Sequence, residues 1–213
     1  MIKVIIFDFD GVIADSVDIK TKAFGELFED EGGDFAGRVV DYHLKNTGVS
    51  RYEKFRYIYK NMLNRELSDE KFKDLCSRFE SLVTDNVIKA PFIKGAKEFL
   101  EEHSDEYACF VASATPQKEI EDIVIRKGLG GYFKGIYGAP FKKSDAVKEI
   151  IAKQGVKAGE VLYAGDAMSD YNAAKGSSAN FVAVAGEDSP VFSGVDCLKI
   201  GDLKGFDKLV KSL

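Results

Sequence analysis

The residues of this chain best suited to chemistry are four aspartates in two close pairs, Asp8 with Asp10 and Asp166 with Asp170. Each pair follows a short apolar run, Val4-Ile5-Ile6-Phe7 before the first and Val161-Leu162-Tyr163-Ala164 before the second. Apolar runs without alternation read as buried parallel strands, so each pair is expected at a strand end. An unpaired carboxylate away from water is costly, and Asp8 with Asp10 therefore implies a cation. A hard divalent ion such as Mg²⁺ takes oxygen ligands of this kind, often one or two carboxylates completed by water and phosphate. The plainer reading stays open: Asp8 and Asp10 as turn residues, Asp166 as a helix N-cap, Asp170 as a first-turn acid. A third apolar run, Tyr107 to Ala112, ends at Ser113-Ala114-Thr115-Pro116. There a hydroxyl and the amides of a helix entry could donate to an anion. Two adjacent lysines, Lys142 and Lys143, stand just before another helical stretch as candidate cations.

The elements that must carry these groups alternate between strand and helix over most of the chain. Gly11 lets the backbone turn sharply after Asp10. From Asp15 to about Lys89 the pattern is helical throughout. Ser16 is expected to cap a helix with Ala23, Phe24, Leu27 and Phe28 on one face. A second helix is expected from Arg38 to Lys45, broken at Asn46-Thr47-Gly48-Val49. Ser50 and Glu53 make a capping box for a third, with Tyr52, Phe55 and Tyr59 sharing a face, and a fourth runs from about Ser68 to Val87. Beyond Pro91 and Gly95, strands are expected at Tyr107–Ala112, Gly135–Tyr137, Val161–Ala164, Phe181–Val184 and Leu198–Ile200, each followed by a helix or loop. Pro116 suits the first turn of its helix. This order predicts an α/β fold, a doubly wound parallel sheet. Residues 1–14 and 90–213 would form that core and 15–89 an inserted all-helical domain. Ligands of such sheets bind beyond the carboxyl ends of the strands, where all the candidates fall.

Composition narrows the function classes. The 213 residues carry a formal charge of −5, with 45% hydrophobic and 31% charged residues, and the pI is near 5.3. An acidic protein is a poor match for nucleic acid or an anionic membrane, so neither is expected as a partner. No apolar run approaches ~18 residues, and no basic leader precedes the first strand, so a cytoplasmic protein is expected. The three cysteines, Cys76, Cys109 and Cys197, are widely spaced and fit reduced thiols, and His43 and His103 are isolated.

Taken together, Phe7-Asp8-Phe9-Asp10-Gly11-Val12, Ser113, Lys143 and Gly165-Asp166-Ala167-Met168-Ser169-Asp170 resemble, in order, the four motifs of the haloacid dehalogenase superfamily. The resemblance covers residues 1–14 and roughly 90–185, and the helical insertion matches the cap of phosphoglycolate-phosphatase-like and β-phosphoglucomutase-like members in position and size. It implies a Mg²⁺-dependent phosphatase acting on a small phosphorylated metabolite, possibly a sugar phosphate, through an aspartyl-phosphate. Asp8 would be the nucleophile and Asp10 the general acid and base, an acid at that position favouring phosphate esters. Ser113 and Lys143 would complete the catalytic set, with Thr115 and Lys142 as the competing choices. The metal would fall to Asp8, the main-chain carbonyl of Asp10 and Asp166, with Asp170 supporting the site. Gly11, Ser113, Ala114, Lys143 and Arg51 would face the substrate, Arg51 from the break in the insertion. The alternatives are a phosphomutase, a signalling receiver domain, which is near half this size, and a non-catalytic phosphate-binding protein. Whether the chain is a monomer or a homodimer is not readable from its residues.

Overall fold

Six strands form one parallel sheet in the order β3-β2-β1-β4-β5-β6. The computed structural model describes residues 1–187 and 189–213. The strands are β1 (Val4–Phe7), β2 (Ala108–Pro116), β3 (Gly135–Ala139), β4 (Val161–Gly165), β5 (Asn180–Val184) and β6 (Leu198–Ile200). β1 is central, pairing Ile6 with Phe110 on one side and with Tyr163 on the other. All four of its residues are buried, because both faces of the sheet are covered. Ile5 and Phe7 point to one face and Val4 and Ile6 to the other, each joining a different apolar cluster.

The helices are α1 (Val17–Glu26), α2 (Phe35–Lys45), α3 (Arg51–Tyr57), α4 (Asp69–Lys89), α5 (Ala96–His103), α6 (Gln117–Arg126), α7 (Lys143–Gln154), α8 (Met168–Gly176) and α9 (Phe206–Ser212). On the Val4 and Ile6 face lie Val147 and Ile150 of α7 and Ala173 and Ala174 of α8. The opposite cluster holds Phe99 of α5, Ile120 and Val124 of α6 and Phe206 of α9. Successive strands leave β1 in both directions, so the sheet's switch point lies between β1 and β4. A crevice opens at the carboxyl ends of those two strands.

Helices α1 to α4 all fall between β1 and α5. Phe24, Phe28, Phe55 and Phe79 pack as their shared interior. Two short chain segments join them to the sheet, Asp15 N–H donating to Pro91 O at 2.9 Å and Ile93 N–H to Ile13 O at 3.0 Å. The Ser50 hydroxyl accepts from Glu53 N–H, the N-cap half of the expected capping box, and Ser68, at the expected start of α4, accepts from Lys71 N–H. Helix α3 runs on as a π-helical turn, Ile58–Met62. Two local expectations differ. Ser16 sits at the N-cap of α1 without capping it, and Pro116, expected in the first turn of α6, is the N-cap residue one position earlier and also ends β2. No helix is long and apolar enough to cross a membrane among the described residues. Cys76, Cys109 and Cys197 are unpaired thiols.

Candidate active site

β1 and β4 run side by side, so the residues just past their ends meet. Carboxylate oxygens of Asp8, Asp166 and Asp170 lie within 4.8 Å of one another. Gly11 makes this approach possible: its φ is +77°, and a Cβ there would overlap the Asp166 carboxylate. Gly165 likewise leaves the space that the Asp170 side chain fills.

Lys143, the first residue of α7, reaches back into this cluster. Its Nζ donates to Asp8 Oδ2 and to Asp170 Oδ1, each at 2.7 Å, and all three groups are buried. Lys142 is exposed, which separates the two lysines left open above. Asp8 Oδ1 accepts from Phe9 N–H at 2.6 Å, and Asp170 Oδ2 from Ala167 N–H at 3.1 Å. Both oxygens of Asp170 are thus engaged, so its place is to orient the lysine more than to offer a free metal ligand. No ion pair among the described residues involves Asp166.

One ammonium therefore stands against three carboxylates in a low-dielectric crevice. Burial pushes the Asp8 carboxyl up to about 7, with Lys143 pulling down and Asp170 and Asp10 pushing up. Burial raises Asp166 well above its ordinary range too, reinforced by Asp8 and Asp170. Burial opposes the charge on Lys143, but Asp170 and Asp8 overcome it and raise its pKa. The expectation that Lys143 helps to keep Asp8 ionised holds only as a partial effect here. A second cation with a preference for hard oxygen donors fits the charge left over and the donor set.

Asp10 faces a different environment. Its side chain leaves the acid cluster and accepts from Ser16 Oγ at 2.6 Å and Thr115 Oγ1 at 3.3 Å, and it pairs with Lys20 Nζ. Burial opposes ionisation, but Lys20 and the Ser16 hydroxyl outweigh it and lower the Asp10 pKa. The Asp10 carboxylate is thus committed to Lys20, and the atom expected at the metal is its main-chain carbonyl. Ser16 gives its hydroxyl to Asp10, which explains why it does not cap α1. Sequence reading missed Lys20, a surface-type residue one helical turn beyond Ser16, whose only signal was that spacing.

Ser113 and Thr115 are both buried at the end of β2. Ser113 Oγ accepts from Thr115 N–H at 3.2 Å, and Thr115 Oγ1 also accepts from Lys20 at 2.7 Å. Ser113 and Lys143 line a wide cleft of about 450 Å³ between the helical insertion and the sheet. Ala114 borders both this cleft and a narrower cavity of about 60 Å³ that runs inward past Asp8, Asp10 and Asp166 to α1, α2 and α3. Arg51 is neither exposed nor free: Nη2 donates to Glu119 Oε1 of α6 at 2.6 Å, and its guanidinium lies 4.4 Å from the Phe79 ring. It ties the insertion to the sheet and also borders the cavity where it was expected to face the substrate. Gly48 in the α2–α3 break has φ +75° and abuts Ser169, bringing that loop onto the segment after β4.

A family model described as haloacid dehalogenase-like hydrolase matches residues 5–184. A protein named phosphoglycolate phosphatase from Vibrio parahaemolyticus is 27% identical over 194 residues, covering 82% of this chain and 79% of its own. Two solved structures share the fold at 18% identity. A predicted phosphoglycolate phosphatase from Haemophilus somnus has a TM-score of 0.76 and covers 98% of this chain and 97% of its own. A β-phosphoglucomutase from Clostridium difficile has a TM-score of 0.77 and covers 99% and 96%.

Proposed function

The chain belongs to the haloacid dehalogenase-like hydrolases, and from that premise we propose that it is a Mg²⁺-dependent phosphatase of small phosphorylated metabolites that works through an aspartyl-phosphate on Asp8. The observation that carries this reading is the acid cluster of Asp8, Asp166 and Asp170 bridged by Lys143. The Vibrio relative, named for phosphoglycolate, supports hydrolysis as the outcome. Residues 15–89 form the cap domain of this reading and residues 1–14 with 90–213 its core.

Asp8 and Asp166 would hold Mg²⁺, which when bound neutralises charge on the phosphate oxygens and on the nucleophile. A carboxylate oxygen of Asp8 attacks phosphorus through a lone pair left by its hydrogen bond, and the P–O bond to the leaving group breaks. Lys143 favours the ionised form of the nucleophile and aims it, and Asp170 keeps the lysine aimed. Ser113 and the amide of Ala114 donate to the transferring phosphoryl group. The leaving oxygen takes its proton from the Asp10–Lys20 couple. Asp10, held as a carboxylate by Lys20, then draws a proton from the water that hydrolyses the aspartyl-phosphate. The helical cap keeps bulk water from the intermediate.

The test is phosphate release from p-nitrophenyl phosphate and a panel of metabolite esters, with Mg²⁺ and with chelator, for the native chain and Asp8→Asn. Turnover should require Mg²⁺ and fall by at least about a thousandfold in the variant, the scale on which loss of a nucleophile acts. Turnover that survives Asp8→Asn removes the proposal. Isomerisation of a sugar phosphate without phosphate release would replace it by the phosphomutase reading.

A further inference from the structure

The inner end of the narrow cavity is built from side chains that the phosphoryl chemistry does not use. Lys54 of α3 lines it and is only 2% exposed, yet no carboxylate among the described residues pairs with it. Its Nζ lies 2.9 Å from His43 Nδ1 of α2 and 5.2 Å from the centre of the Phe24 ring. An ammonium has only donors, so Nδ1 accepts and the proton of the neutral imidazole sits on Nε2. That Nε2 is buried without a partner. Two of the three Lys54 donors and the His43 N–H therefore have no protein acceptor among the described residues. Leaving such groups unpaired is costly, and an uncompensated buried ammonium especially so.

We propose that Lys54 and His43 form a subsite for a carboxylate at the end of the substrate opposite its phosphate, making a short phosphorylated carboxylic acid the preferred substrate. This rests on the phosphatase reading above and assigns what lies beyond the leaving oxygen. The reacting phosphorus must meet Asp8, which lines the narrow cavity beside Asp166, while its partner Lys143 and the nearby strand-end Ser113 line the wider cleft. Asp10, which serves the leaving oxygen, borders the narrow cavity, so the leaving group points toward Lys54. A sugar would bring several hydroxyls that need acceptors as well as donors, whereas this end offers donors. The whole cavity, with the part beside Asp8 and Asp166 included, holds only about 60 Å³, so the group beyond the leaving oxygen must be short.

Two measurements test the assignment. The first compares kcat/KM for 2-phosphoglycolate, ethyl phosphate and ethane-1,2-diol bisphosphate in the native chain and in Lys54→Met. The native preference for phosphoglycolate over ethyl phosphate should be about tenfold to a hundredfold, as for a buried charge-assisted contact, and Lys54→Met should bring the ratio to within about twofold of one. An unchanged ratio in Lys54→Met overturns the proposal, as does a native preference for the bisphosphate. The second measures binding of the same three esters to Asp8→Asn and Asp8→Asn/Lys54→Met by calorimetry with Mg²⁺ present. It reads the subsite even if turnover is absent, so failure of the phosphatase reading is told apart from failure of this one. Equal affinities for phosphoglycolate and ethyl phosphate in Asp8→Asn overturn it. Thermal unfolding separates a folding role: Lys54→Met exchanges an unpaired buried charge for an apolar side chain of similar length and should raise the melting temperature. A lowered melting temperature would mark Lys54 as structural and count against the subsite.

Discussion

Replacing Lys143 by Met is the most severe single test of how the acid cluster is held together. The ammonium bridges Asp8 and Asp170 at 2.7 Å each, and its side chain is 7% exposed against 5% and 0% for theirs. A solvated bridge of this kind is worth about 0–1 kcal/mol. Breaking a buried one by removing a single partner costs about 3–5 kcal/mol, because the remaining charges are left uncompensated. Here two carboxylates lose their partner at once, with Asp166 beside them. For a chain of this size 1 kcal/mol corresponds to about 2–4 °C, so the metal-free Lys143→Met protein should melt some 6–20 °C lower. Urea unfolding in chelator measures the free energy directly. Mg²⁺ should then stabilise the variant by at least as much as the native chain, since its cluster carries one more uncompensated negative charge. At a hundredfold excess over Kd that gain is about 2.7 kcal/mol. A metal-free loss below about 1 kcal/mol would refute the argument, because it would mean that the three acids are solvated and need no cation.

Gly11→Ala should lose about 1–2 kcal/mol in urea unfolding for its left-handed φ of +77°. Its Cβ would also push the Asp166 carboxylate aside, so Mg²⁺ titration by calorimetry should show affinity weakened tenfold or more. Arg51→Met should cost about 3–5 kcal/mol in urea unfolding, since it strands Glu119, whose Oε2 is already without a partner; a loss under about 1 kcal/mol would contradict the buried pairing. The His43–Lys54 pair should leave a mark on the pH dependence of stability. Burial and the nearby Lys54 and Lys20 charges lower the His43 pKa from 6.5 to about 3. A depressed folded pKa means that stability present above the unfolded value is lost as pH falls, here from about 6.5 toward 3. Burial, with Lys20 and Lys143, lowers Lys54 from 10.5 to about 7, so its contribution is complete above about 10.5 and declines as pH falls to about 7. Melting curves across these ranges should flatten in His43→Gln at the acid end and in Lys54→Met at the alkaline end; curves parallel to the native one would show that the pair does not titrate in this way.

What could be read from the residues alone follows from how locally each feature is encoded. β1 was legible because a strand covered on both faces needs an unbroken apolar run, and Val4-Ile5-Ile6-Phe7 admits little else. The acids after β1 and β4 were legible as neighbours because parallel strands in one sheet present their ends together. The four helices of the insertion showed their apolar faces, but which polar side chains turn inward depends on packing between helices far apart in sequence. Arg51 and Glu119 are separated by 68 positions and His43 and Lys54 by 11, and neither pairing leaves a periodic trace. Ser16 shows the limit of local rules: the spacing suits an N-cap, but Asp10 competes for the hydroxyl and wins. Lys20 was hidden for the same reason, since its partners Asp10 and Thr115 come from two different strand ends.

Asp8 and Asp10 are two positions apart, yet the structure gives them opposite surroundings, and the difference arises from the turn between them. Gly11, at φ +77°, lets Asp8 remain with the β4 acids while the Asp10 side chain swings to α1. Asp8 shares one lysine with Asp170 and lies among acids, so a further cation favours its ionised form. Asp10 has Lys20 nearly to itself and needs none. The narrow cavity is consequently polar in one direction, with oxygen donors for a metal at the sheet end and nitrogen donors at the helical end. Only the first end depends on an ion supplied from solution. A ligand spanning both must present its phosphate toward the sheet and its other polar group toward the helices, so that the orientation of the reacting bond is fixed by charge before any residue moves.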